Sequence, residues 1–114
     1  MPTKRKISSS IKFLEEITGG PLSLGKFLQA IRLGEEISQA EFASKLGISR
    51  SHLCDIEKGR KLVSPERAAI FARILKYSPE QFVRLALQDQ VEKAGFKFTV
   101  KIEAAKPGFL RLRT

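Results

Sequence analysis

The sequence predicts an all-α protein: a bundle of five helices, followed by a single C-terminal β-strand extension. Three observations lead there. Between Leu24 and about Gly95, apolar residues recur at three- and four-residue spacing, the mark of helices that bury one face. Serines stand at Ser38, Ser49, Ser64 and Ser78, each just ahead of such a run, where a side-chain oxygen can accept an orphan helix N–H. After Gly95 the apolar period drops to two, which is the period of a strand.

Each element follows from its own residues. "LGKFLQAIRLG" sets Leu24, Phe27, Leu28 and Ile31 on one stripe, with Arg32 beside it. The second helix starts at Ser38, where "SQAE" has the spacing of a capping box, and Gly47 stops it. Ser49 begins a third helix that runs to Lys58, with Gly59 behind it. "SPERAAIFARILK" and "SPEQFVRLALQDQVEKAG" open on Ser-Pro, which puts proline at the first helical turn, where its missing N–H is no loss. In "FKFTVKIE", Phe96, Phe98, Val100 and Ile102 alternate with Lys97, Thr99, Lys101 and Glu103. The organisation is therefore a basic N-terminal arm over 1–22, in which "ISSSIKFLEEITGG" is a candidate short helix, a helical domain over 23–95, and a strand and tail over 96–114.

Bulk composition narrows the function. A chain of 114 residues with 42% apolar residues can build one ordinary core without staples. Its one cysteine cannot close an intramolecular disulfide, which fits a reducing cytosol. No apolar run approaches the roughly 20 residues of a membrane span, and the basic start has no apolar segment behind it, so neither membrane nor secretory leader is expected. We therefore expect a cytoplasmic, nucleoid-associated protein. The net charge of +9 invites a polyanion, nucleic acid before membrane, although charge can equally serve solubility.

The chemistry concentrates in "SQAEFASKLGISRSHLCDIEKGRK", residues 38–61. Two helices joined by a glycine turn form either an ordinary hairpin or a helix-turn-helix. Here Ala43 is small enough for two helices to cross closely, Gly47 lies in the turn, and Phe42, Leu46, Ile48, Leu53 and Ile56 supply an inward set. Arg50, Ser51, His52 and Asp55 remain as a polar edge at the start of the second helix. Arg forks onto guanine, Ser bonds either kind of base edge, and Asp accepts from cytosine. Lys58, Arg60 and Lys61 suit phosphates, which fix register without reading sequence. Arg50 has phosphate contact and plain solvation as alternatives, and Asp55 has the alternative of orienting Arg50 or Lys58.

Residues 24 to about 85 resemble the lambda-repressor-like, xenobiotic-response-element (XRE) helix-turn-helix domain, on the strength of "AIRLGEEISQAEFASKLGISRSHLCDIEKGRK" and "FARILKYSPEQF". The resemblance implies a lambda-repressor-like bundle whose second motif helix enters the major groove of double-stranded DNA. It implies a phosphate contact for Gln39 and a buried ion pair between Arg32 and Glu57. The acidic "LGEEIS" departs from the usual pattern and puts negative charge near the DNA face.

Competing functions find little support. His52 and Cys54 are the only histidine and cysteine, too few for a zinc site, and at i and i+2 on a helix they face apart, so no nucleophile–base pair forms. "EITGGPLSLG" lacks the ending of a phosphate-binding loop. No enzyme, cofactor or metal is expected. The apolar face of Phe96, Phe98, Val100 and Ile102 has three uses: packing on the chain's own bundle, pairing with a second copy in a homodimer, or joining a partner protein. Small XRE proteins with short extensions resemble HigA-type antitoxins, which repress their own operon and bind a toxin. The leading expectation is a sequence-specific transcriptional regulator, most simply a repressor acting as a dimer, with the antitoxin of a type II toxin–antitoxin pair as the alternative.

Overall fold

The computed structural model describes residues 22–103 and 105. Five helices run through it: α1 Leu24–Gly34, α2 Gln39–Leu46, α3 Arg50–Glu57, α4 Pro65–Leu75 and α5 Pro79–Lys93. The candidate helix within the N-terminal arm lies outside the described residues.

The helix boundaries are fixed by one repeated device at each end. Every helix begins at a serine in extended backbone whose hydroxyl oxygen accepts the amide three residues on. Lys26 N–H donates to Ser23 at 3.1 Å, Glu41 to Ser38 at 3.1 Å, His52 to Ser49 at 3.0 Å, Arg67 to Ser64 at 3.1 Å and Gln81 to Ser78 at 3.4 Å. Each such cap is worth about 1 kcal/mol. At Ser38 only this half of the capping box forms, because the Glu41 carboxylate makes no return bond.

Every helix ends in the same paired-bond turn. The amide of one residue reaches back three positions while the next reaches back five, as in Gly47 N–H to Ser44 O at 3.1 Å and Ile48 N–H to Ala43 O at 3.0 Å. This turn needs a residue with positive φ. Gly47, Gly59 and Gly95 supply it without strain, but Glu36 (φ 58°) and Lys76 (φ 64°) do so with a side chain attached.

Between these stops the apolar stripes close on one core. Leu24, Leu28, Phe42, Leu53, Ile56, Phe71, Phe82 and Leu85 are fully buried, each worth roughly 1.5–3 kcal/mol of transfer energy. α4 and α5 form the most extensive helix pair, α2 packs on α3, and α1 spans both groups through α3 and α5. Phe27 of α1 meets Tyr77 and Phe82 edge-on, with 5.7 Å between centroids in each case, which ties α1 to the α4–α5 corner. α1 also approaches α3 unusually closely. A Cβ on Gly25 would lie 2.0 Å from the Ile56 carbonyl oxygen.

The C-terminal strand is the point of difference. Among the described residues no β-strand is formed, and 96–103 runs on from α5 without regular pairing. The alternation is present in the side chains, but a strand is defined by a ladder, and the helical domain offers no second strand. Instead the Gln88 side chain of α5 holds the segment, donating to the Phe98 carbonyl at 2.8 Å and accepting from the Val100 amide at 2.7 Å. Phe96 and Phe98 stay more than half exposed, with their rings stacked at 5.2 Å.

Candidate nucleic-acid interface

α2, the Gly47 turn and α3 place a short polar edge on the outside of the bundle. Leu53 and Ile56 hold α3 inward, so the first turn of the helix projects outward. Arg50 and Ser51 are exposed there, and His52 and Asp55 are half-buried at its flanks.

Behind that edge lies a continuous polar chain. The Glu57 side chain is fully buried, and its two oxygens accept from Arg32 Nε at 2.8 Å and Nη2 at 3.1 Å, a two-pronged ion pair between α1 and the end of α3. Arg32 also donates to the Ile37 carbonyl at 3.2 Å, which pins the α1–α2 turn. The bond to Glu57 pushes the Arg32 pKa up, against the opposing effect of burial. Gln39 Nε2 donates to the same carboxylate at 2.9 Å. Because a carboxylate only accepts, the Gln39 amide must turn its oxygen outward, and that oxygen accepts from Arg50 Nη1 at 3.1 Å. The buried pair thus orients Gln39, and Gln39 orients Arg50. No buried side-chain polar atom among the described residues lacks a partner.

The remaining expected residues take three separate places. Asp55 bonds neither Arg50 nor Lys58. Its carboxylate accepts from Arg60 Nε at 2.9 Å, and its carbonyl accepts the Arg60 and Lys61 amides at 2.8 and 3.2 Å, so it builds the turn that closes α3. Lys58, Arg60 and Lys61 are exposed along that turn and form a basic shoulder. His52 is shifted the other way. Burial, with the Arg67 and Lys61 charges, depresses its pKa against the pull of Asp55.

Two residues of this region escaped the sequence reading. Arg67, exposed in the first turn of α4, extends the basic shoulder beside His52. Its only signal was its place three residues after the Ser64 cap. Asp89 of α5 accepts the Leu24 amide at 3.0 Å and so caps α1 across 65 residues of sequence, a contact with no local signature. Burial raises the Asp89 pKa to about 6, assisted by Glu92 and opposed by the Leu24 bond.

The described residues hold no group of His, Cys, Asp and Glu able to bind a metal, and no helix among them is long and apolar enough to cross a membrane. An outward-projecting start of α3, two packed helices around a left-handed glycine and a basic shoulder define a helix-turn-helix. A helix-turn-helix family model matches residues 28–82, and this segment is an XRE-type, lambda-repressor-like domain. A domain of this kind supports a DNA-binding transcription regulator of the XRE type. Neither a curated protein nor a solved structure matches the chain.

Proposed function

We propose that the protein is a repressor that seats α3 in the major groove of a two-fold operator, as a dimer, with Arg50 reading guanine. The observation that carries this reading is the chain Arg32–Glu57–Gln39–Arg50, which aims a guanidinium at the start of α3 before DNA arrives. A side chain already held in place loses less entropy on forming the two-pronged contact to guanine O6 and N7. Ser51 and His52 lie next to it for adjoining base or backbone contacts. Lys58, Arg60 and Lys61, with Arg67, take phosphates and set the register. Gln39 acts first on Arg50 and through it on the DNA.

The test is selection of bound sites from a random duplex library, followed by competition with single-base variants. Arg50→Ala should relax preference at one base pair by about 1–3 kcal/mol, whereas Lys61→Ala should weaken all sequences alike. Equal loss on every variant for both substitutions would remove Arg50 from base reading.

The second reading, an antitoxin that neutralises a toxin and represses their shared operon, draws on the exposed Phe96 and Phe98. An apolar pair left in solvent suits a protein partner. Co-purification of a small protein encoded beside this gene, lost when residues 96–114 are removed, would favour it.

A further inference from the structure

We infer that two copies of this chain join through residues 97–103, as a two-stranded antiparallel ribbon centred on Val100; this rests on the proposed dimeric reading and names its surface. In an extended chain the N–H and C=O of one residue share an edge, and alternate residues share the same edge. Gln88 already occupies the edge of Phe98 and Val100, standing in for a neighbouring strand. The backbone groups of Lys97, Thr99 and Lys101, on the opposite edge, have no partner among the described residues. Half of a ladder is built and the other half is open.

The side chains select the occupant and the register. Antiparallel pairing about Val100 sets Lys97 opposite Glu103 of the partner subunit, twice by symmetry, and Thr99 opposite Lys101 of the partner subunit. On the other face it sets Phe98 opposite Ile102 of the partner subunit and Val100 opposite its own copy. Opposite charges and large apolar residues facing across a pair are both stabilising. A shift of two residues one way faces Lys97 with Lys101 of the partner subunit, and the other way faces Lys101 with its own copy. Parallel pairing sets every lysine beside its equivalent. The segment is therefore complementary to itself in this register. Phe98 and Ile102, each more than one-third exposed, supply the apolar pair that the ribbon brings together.

The test is sedimentation velocity on the full chain over a concentration series, for wild type, Lys97→Glu, Glu103→Lys and the double exchange. Each single reversal turns two attractions per dimer into two repulsions and should weaken association about ten-fold, and the double exchange should restore it. Oxidation in a Cys54→Ser background fixes the register. Val100→Cys should cross-link, because directly opposed residues lie about 4.5 Å apart, whereas Thr99→Cys should not, its copy being diagonal at about 7–8 Å. A wild type that stays monomeric overturns the proposal. So does a dimer that ignores both single reversals, which would move the contact elsewhere, for example to the exposed Ile70 and Ile74 of α4. Binding to a single half-site, measured in parallel, separates the two ideas. It should survive the charge reversals, and its absence in a wild type that still dimerises would sink the DNA reading alone.

Discussion

Three residues show how single groups hold the reading surface, and each yields a test. Glu57 is buried with its charge balanced by Arg32, so Glu57→Gln leaves the guanidinium uncompensated and should cost about 3–5 kcal/mol, read as a fall in the denaturation midpoint. Its effect on DNA should exceed that of unfolding alone, since the amide leaves Arg32 and Gln39 one acceptor oxygen in place of two and so loosens the contact that turns the Gln39 oxygen toward Arg50. Gly25 is constrained from the opposite direction. A methyl there meets the Ile56 carbonyl in backbone, which cannot swing aside, so Gly25→Ala should cost about 2–3 kcal/mol, although alanine is the better helix former. Asp89 acts through pH. Its pKa rises from 3.8 to about 6 on folding, so the folded state binds the proton more tightly, and this group's contribution is greatest below pH 4 and is lost as pH rises toward 6. Glu92, Lys61 and Lys93 line the same groove as Asp89. Asp89→Asn keeps an oxygen for the Leu24 amide and removes the ionisation. Melting curves from pH 4 to 8 should show a flatter profile than wild type, with the variant's advantage growing between pH 4 and 6 and constant above it. A parallel pair of curves would remove Asp89 as the source.

At the scale of elements, the helix starts were legible because a cap is a local contract between residues three apart. Ser38, Ser49, Ser64 and Ser78 announce their helices in the sequence, whereas α1 was placed at Leu24 from its apolar stripe alone, without its Ser23 cap. Helix ends were half legible. Gly47, Gly59 and Gly95 mark theirs, whereas Glu36 and Lys76 perform the same left-handed turn against their own preference, which no propensity argument would choose. These two positions are consequently strained, and Lys76→Gly or Glu36→Gly should stabilise the fold by about 1 kcal/mol each, visible as a higher midpoint in urea with unchanged slope. The outward placement of the candidate residues on the first turn of α3 was legible, where polarity and spacing speak directly. The roles of Gln39, Asp55 and Asp89 were not, because each depends on a partner that only the packed helices bring near. The C-terminal segment marks another limit. Alternation reports which side chains would share a face, but a ladder needs a second strand that the sequence of one chain cannot display.

For the whole molecule, the question is whether the tail belongs to the fold or to the assembly. The five helices carry their own caps and a closed core, and residues 96–103 contribute no buried residue to it. Removing residues 96–114 should therefore leave the helical domain folded, with a helical circular-dichroism spectrum and a cooperative melt. DNA affinity should nevertheless fall, for two reasons that salt distinguishes. The deleted stretch carries five lysines and arginines against one glutamate, and a loss of phosphate contacts shrinks as salt rises, because such contacts act through counterion release. A loss of dimerisation removes the joint engagement of two half-sites about 34 Å apart, and that deficit persists at high salt. The expected result is a monomer in sedimentation whose operator affinity stays below that of the full chain at every salt concentration, while its binding to an isolated half-site approaches that of the full chain as salt rises. A truncated chain that loses its cooperative melt would instead make the tail part of the fold, with Gln88 as its anchor.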